Sequence, residues 1–165
     1  MKFKFLFCLL LVACFLLFIY SFSQVDLNLT LSSNYIYQSF QTQLTQLGYY
    51  HRYLSTGIYI GLTLLLTAIY YILYTSAKNK LITPKQIWKL IATATVILIF
   101  SYPAFSHDIF NYLFAARIVT QYNLSPWQYK ALDFPADDWT RFMRWTHVPS
   151  VYPPIWIGLS LIPSF

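Results

Sequence analysis

Long apolar runs separated by short polar stretches dominate the chain. Four stretches lack Asp, Lys and Arg for long enough to matter: 5–24, 53–77, 90–107 and 148–165. A helix that crosses a bilayer needs about 20 mainly apolar residues. The first three runs are long enough to cross, and the fourth reads as the beginning of a span. That last run carries Pro149, Pro153, Pro154 and Pro163. The pattern predicts spans over about 5–23, 54–76, 87–105 and, in part, 151–165. The fold class is all-α: a multi-pass transmembrane helix bundle with an extracytoplasmic amphipathic helix, in a single membrane domain covering 1–165.

Local signals place the helix ends. Thr83-Pro84-Lys85-Gln86 offers a capping Thr, a Pro at the first helical position and a Gln at the third, so span three starts there. Pro103 loosens its outer end. Beyond it, Ser106 is a plausible cap for a helix over 108–121, with Asp108 in the first turn, where a carboxylate suits the helix dipole. Asp108, Asn111, Tyr112 and Ala115 share one face of that helix. Asp137 and Asp138 stand in a Pro-containing loop and read as a turn or as the cap of a helix over 139–145. The stretch 24–46, rich in Ser, Thr, Asn and Gln, reads as an outer loop with some helix.

Composition agrees with lipid as the solvent. Of 165 residues, 58% are hydrophobic and only 10% charged, with no Glu, far below the roughly 25% charge of a soluble domain. The net charge of +6 does not indicate nucleic acid, because the Lys and Arg residues are dispersed and flank apolar runs. They report topology instead. Lys2 and Lys4 precede span one, and Lys78, Lys80, Lys85 and Lys89 crowd the link between spans two and three, so both places are expected to be cytoplasmic. The segments 26–52 and 107–147 then lie outside, with the N-terminus inside. Tyr49, Tyr50 and Tyr53 mark the outer interface, and Tyr70, Tyr71, Tyr74 and Trp88 the inner one. Signal cleavage after Ser21-Phe22-Ser23 and lipidation at Cys14 are the alternatives for span one, and neither changes this sidedness. Cys8 and Cys14 point to different sides of one helix and cannot pair. Asn28-Leu-Thr30 and Asn123-Leu-Ser125 match the glycosylation pattern by chance.

Chemistry gathers between Ser106 and Tyr152, which hold four of the five acids, three of the four Arg and two of the three His. An ionisable group at the lip of a bundle marks a substrate path, and a single carboxylate there, Asp108, can take a proton from an attacking hydroxyl. The competing reading of Asp108 is a helix-start residue only. Arg141 and Arg144, three apart on the expected helix, suit a phosphate, or else snorkel to lipid headgroups.

The order Asp108-x-x-x-Tyr112-x-x-x-Ala116-Arg117, then Asn123 with Pro126-Trp127, then Tyr152-Pro153-Pro154 before an apolar run resembles the polyprenyl-phosphate-sugar-dependent membrane glycosyltransferases of the GT-C superfamily. The nearest likeness is to the bacterial mannosyltransferases that extend cell-surface glycans. That family has Gly where Ala116 stands, Asn-Pro-Tyr where Asn123-Leu-Ser-Pro126-Trp127 stands, and Tyr-Gly-Pro where Tyr152-Pro153-Pro154 stands. The resemblance covers about 101–160. It implies a catalytic role for Asp108, a polyprenyl-phosphate donor of mannose or another hexose, and an extracytoplasmic glycan or lipid acceptor. His107, Tyr112, Arg117, Arg141, Arg144, His147 and Tyr152 are then the candidates for holding substrate or phosphate. No cofactor is implied, a divalent metal is left open, and the partners are donor, acceptor and bilayer, not nucleic acid. Family members are longer, so the chain reads as an N-terminal fragment. The alternative class is a non-catalytic membrane protein or a subunit of a lipid-carrier transporter or flippase.

Overall fold

The computed structural model of the protein describes residues 3–27, 29 and 31–162. Lys2, Asn28, Thr30 and Pro163, which enter the readings above, lie outside the described residues, as does the end of the fourth apolar run. Among the described residues every regular element is helical, and the one β feature is an isolated antiparallel bridge between Lys130 and Pro149. The chain divides into two compact units, Met1–Ala104 and Phe105–Phe165. The division falls where the third apolar run meets the polar segment.

The first unit contains α1 (Phe3–Ser21), α2 (Tyr35–Thr45), α3 (Arg52–Lys78) and α4 (Pro84–Leu98). A 3₁₀ turn, Phe22–Gln24, follows α1, and a π-helical turn, Gln46–Tyr50, joins α2 to α3. Helix α1 packs against both α3 and α4. The seam on α3 is narrow: Ser55, Leu62 and Ile69 are its buried residues, one every seven positions, the spacing that keeps one line of side chains on a neighbouring helix. At the N-terminal end of α3 the Tyr20 hydroxyl and the Ser55 hydroxyl hydrogen-bond at 3.0 Å, and Tyr20 stacks on Tyr59. Ser21 donates to the Phe18 carbonyl and accepts the Tyr102 N–H at 2.9 Å, tying the segment after α4 to the end of α1.

Two helical stretches, Phe3–Gln24 and Arg52–Lys78, are long and apolar enough to cross a membrane. Only 28% and 11% of their most apolar windows are buried within the protein. The core helix of a soluble protein would bury most of such a stretch, so the outward faces of these two suit lipid, and the protein is membrane-associated. Of the expected interface aromatics, Tyr50, Tyr53, Tyr70, Tyr71, Tyr74 and Trp88 are exposed on the first unit, and Tyr49 is half-buried. Cys8 and Cys14 are both free thiols on α1.

Helix α4 starts as its sequence dictates. Thr83 Oγ1 accepts the Gln86 N–H at 3.3 Å, and the Thr83 N–H donates to Gln86 Oε1 at 2.8 Å, a reciprocal box with Pro84 at the first position. Its other end differs from the expected 105. The helix stops at Leu98, and 99–101 form a turn. Its 15 residues measure about 22 Å, short of the roughly 30 Å of a hydrocarbon core. Pro103 bars the residue before it from helical geometry, and Tyr102 instead spends its N–H on Ser21.

The second unit contains α5 (Asp108–Thr120), α6 (Pro154–Leu161) and two 3₁₀ turns, Ala131–Asp133 and Asp138–Phe142. Phe114, Ile118 and Ala131 form its buried core, with Leu124, Phe134 and Met143 packed around them. Two local expectations need correction here. The residue preceding α5 is His107, which makes no side-chain cap bond, while the Ser106 hydroxyl accepts the Asp108 N–H at 3.3 Å. The segment 139–145 is not an α-helix: the 3₁₀ turn ends at Phe142 and Met143 is extended. The chain after it lies beside the preceding loop, where the Thr146 carbonyl accepts the Leu132 N–H at 3.1 Å. This cross-loop bond takes the place of helix propagation.

Candidate functional site

Helix α5 builds one wall of a cavity of about 440 Å³ within the second unit. Asp108, Asn111, Ala115 and Ile118 line it, at the three- and four-residue intervals that put side chains on one helix face. Ala115 leaves room where a larger side chain would fill the space. The Asn111 Oδ1 is buried and has no hydrogen-bond partner. An orphaned buried acceptor costs about 1–3 kcal/mol, so a donor brought to that wall is favoured.

The opposite wall is loop, and its shape follows from specific turn chemistry. Asn123 takes a left-handed φ of 53°, which Asn tolerates better than most residues. That turn closes the end of α5, with the Leu124 N–H on the Ile118 carbonyl at 3.1 Å. The chain then runs through Pro126 and Trp127 against the segment before α6. The Ser150 N–H donates to the Pro126 carbonyl at 2.8 Å, and the Trp127 Nε1–H to the Tyr152 carbonyl at 2.9 Å. The bridge between Lys130 and Pro149 fixes the same two strips of chain. These ties bring Lys130, Trp145, His147 and Tyr152 onto the cavity that Asp108 lines. The result is one carboxylate, a Lys, a His, two phenols (Tyr129 and Tyr152) and an unsatisfied amide carbonyl around a mostly apolar space.

Tyr152 is held as a neutral donor. Burial first, then a hydrogen bond with Tyr112 and the nearby Asp108 carboxylate, push its hydroxyl up to about 12. Its ring meets Tyr112 edge-on at 4.5 Å, and Tyr112 meets Trp156 of α6 in the same way at 5.2 Å. This aromatic stack couples the second turn of α5 to the start of α6.

A second polar cluster braces the unit. The Arg117 Nε–H donates to Asp137 Oδ2 at 2.6 Å, the Tyr122 hydroxyl donates to the same oxygen at 2.8 Å, and the Trp139 N–H to Oδ1 at 3.0 Å. Burial raises the pKa of the Asp137 carboxyl. The bonds from Arg117, Trp139 and Tyr122, with the Arg117 charge, outweigh that and hold it below its ordinary value. The Tyr122 hydroxyl is raised, chiefly because it donates to Asp137.

Of the residues singled out in the sequence, Asp108, His147 and Tyr152 come together on the cavity, and Tyr112 stands behind Tyr152. The others do not. His107 is buried beside Phe110 and does not line the cavity. Arg117 is engaged by Asp137. Arg141 pairs with Asp138 at 3.2 Å on the surface. Arg144 is exposed on the extended chain and shares no helix face with Arg141. Lys130, Asn111 and Trp145 were not singled out as site residues. Asn111 could have been, since it lies on the face that carries Asp108. Lys130 and Trp145 sit in loop sequence, which has no period to reveal where a side chain points. Among the described residues no three His, Cys, Asp or Glu side chains gather as a metal set.

Residues 10–162 match the family model for the N-terminal domain of alpha-(1->6)-mannopyranosyltransferases. No curated protein and no solved structure matches the chain.

Proposed function

The chain belongs to the alpha-(1->6)-mannopyranosyltransferase family, and on that footing we propose that it carries the acceptor-activating part of a GT-C-type membrane glycosyltransferase. The reaction is transfer of mannose, or another hexose, from a polyprenyl phosphate to a glycan or lipid acceptor outside the cytoplasm. The supporting observation is the cavity at the start of α5, where Asp108 meets His147, Tyr152 and the unsatisfied Asn111 carbonyl. A family of sugar transferases gives that cavity a substrate class.

The chemistry proceeds by displacement with inversion. Asp108 takes the proton of the acceptor hydroxyl as its oxygen attacks the anomeric carbon of the sugar. The bond from that carbon to the donor phosphate breaks, and the electron pair leaves on the phosphate oxygen. Polyprenyl phosphate is a stable anion and needs no strong acid to depart. It does need donors and positive charge nearby. Lys130, His147 and the neutral Tyr152 hydroxyl supply them. Arg117, engaged by Asp137, serves the frame of the unit instead.

The lysine-rich link between α3 and α4 orients the reading. Lys78, Lys80, Lys85 and Lys89 belong on the cytoplasmic side. In this reading the mostly apolar residues 99–105 carry on the crossing that α4 begins, and the chain after them emerges on the far side, where a lipid-borne sugar arrives through the bilayer and nucleotide sugars are not expected.

The test is transfer from a labelled polyprenyl-phosphate mannose by membranes holding the full-length enzyme. Asp108→Asn is expected to lower transfer at least about 100-fold, the lower range for loss of a positioned base. Asp133→Asn, on the surface of the same unit, is expected to leave it unchanged. Normal turnover by the Asp108→Asn enzyme removes the assignment.

A further inference from the structure

A second cavity, of about 810 Å³, lies in the first unit between the segment after α1 and helix α2. Its main wall is Gln38, Gln41, Thr42, Thr45 and Gln46. These positions follow the i, i+3, i+4, i+7, i+8 spacing that ordinarily carries the apolar stripe of a helix. Here every position of the stripe is an uncharged amide or hydroxyl. No residue of α2 is buried, so the stripe does not serve a core.

The stripe is also pre-set. The Gln41 Nε2 donates to the Leu29 carbonyl at 2.8 Å, which fixes the plane of the amide. The Gln41 Oε1 is left buried with no partner. The Thr42 hydroxyl is anchored on the Gln38 carbonyl at 2.8 Å. Tyr50 adds an exposed ring to the lining and Asp26 a carboxylate. The turn that carries Gln46 and Tyr50 is π-helical, a geometry found often at functional sites.

Among the described residues the lining contains no Lys and no Arg, and the His51 imidazole is offset by the Asp26 carboxylate in the same lining, so a phosphate or other anion finds no net counter-charge there. One carboxylate alone does not make a cation site. The walls are not apolar enough for a lipid chain. What remains is a neutral ligand rich in hydroxyls, which can donate to Gln41 Oε1 and Asp26, accept from Gln and Thr donors, and lay a ring face on Tyr50. The volume lies within the usual range for small-ligand sites, roughly 300–1,000 Å³.

We propose that this cavity is a binding site for an uncharged oligosaccharide, the glycan chain of the acceptor away from its reacting end. The role as acceptor rests on the transferase reading above. The preference for a neutral saccharide rests on the lining alone.

The experiment is titration calorimetry of the full-length protein in detergent with α-1,6-linked mannotriose and, separately, with inorganic phosphate, in the absence of any donor. Saturable binding of mannotriose that phosphate does not displace is expected. Gln41→Met, which keeps length and helix propensity, is expected to weaken binding about tenfold, as loss of a buried hydrogen bond does. Tyr50→Ala, at an exposed ring, is expected to weaken it several-fold with an unchanged melting temperature. Asp108→Asn should bind mannotriose like the wild type. The inference is overturned if mannotriose does not bind, if Gln41→Met and Tyr50→Ala bind normally, or if phosphate binds and displaces it. Loss of binding in Asp108→Asn alone would move the saccharide to the other cavity and also overturn it. Should Asp108→Asn retain turnover while Gln41→Met loses binding, the transferase assignment fails and the saccharide site stands.

Discussion

At the scale of single residues, two acids of the second unit do opposite work. Asp108 lines a cavity and is the base of the proposed reaction. Asp137 has a side chain only 1% exposed and is satisfied by three donors. In the sequence Asp108 was the candidate for chemistry and Asp137 read as a turn or cap residue, and burial with three donors gives Asp137 a bracing part as well. The depressed Asp137 carboxyl makes a pH prediction. A group lowered in the folded state contributes stability above its unfolded pKa, about 3.9, and that stability is lost as pH falls through the folded value. The melting temperature of the full-length protein should therefore fall on acidification below about pH 4. Asp137→Ala should flatten that fall. It should also cost on the order of 3 kcal/mol at neutral pH, because Arg117 is left without its partner. A variant that melts like the wild type at pH 7 would contradict the bracing role. Tyr152, pushed up to about 12, keeps its proton through the physiological range and can donate but not act as base. In the proposed reaction it is therefore a donor, and Asp108 is the base.

At the scale of elements, the legible parts were those with periodic or capping signals. The start of α4 was written in Thr83, Pro84 and Gln86, and α5 in the apolar spacing that follows Asp108. The end of α4 and the 138–142 turn were not, because each depends on a bond to a distant segment: Tyr102 to Ser21 and Leu132 to Thr146. The cavity walls beyond α5 were hidden for the same reason. Asn123, Pro126 and Trp127 look like a motif in sequence, and the structure gives them a mechanical part: they hold the chain before α6 against the loop that carries Lys130. The π-helical turn at 46–50 rests on a comparable close approach. A Cβ on Gly48 would stand 1.9 Å from the Ser23 carbonyl oxygen, and both sides of that contact are backbone. Gly48→Ala is thus expected to destabilise the first unit by at least about 1–3 kcal/mol and to disturb the Gln46 and Tyr50 side of the proposed saccharide site. Thermal melts with mannotriose titration check both. An unaltered melting temperature would show that the turn can shift.

At the scale of the whole molecule, a helical, membrane-associated chain of a mannosyltransferase family was legible from apolar runs, sparse charge and one spaced motif. The runs announce helices because lipid leaves the backbone few other ways to satisfy its hydrogen bonds. The motif led to the family, because Asp108, Tyr112, Arg117 and Tyr152 stand in the order that the resemblance expects. Which of them face a common space was beyond sequence reasoning: Arg117 turns to Asp137, whereas Lys130 arrives from a loop. The central claim is that Asp108 removes the acceptor proton, which separates it from residues that only hold substrate. Steady-state kinetics of the full-length enzyme with a polyprenyl-phosphate mannose donor, wild type against Asp108→Asn, tests this most directly. The account predicts a kcat lower by at least about 100-fold with a KM for donor and acceptor close to wild type, the sign of an interaction made in the transition state. A raised KM with kcat preserved would contradict it and reduce Asp108 to a binding residue.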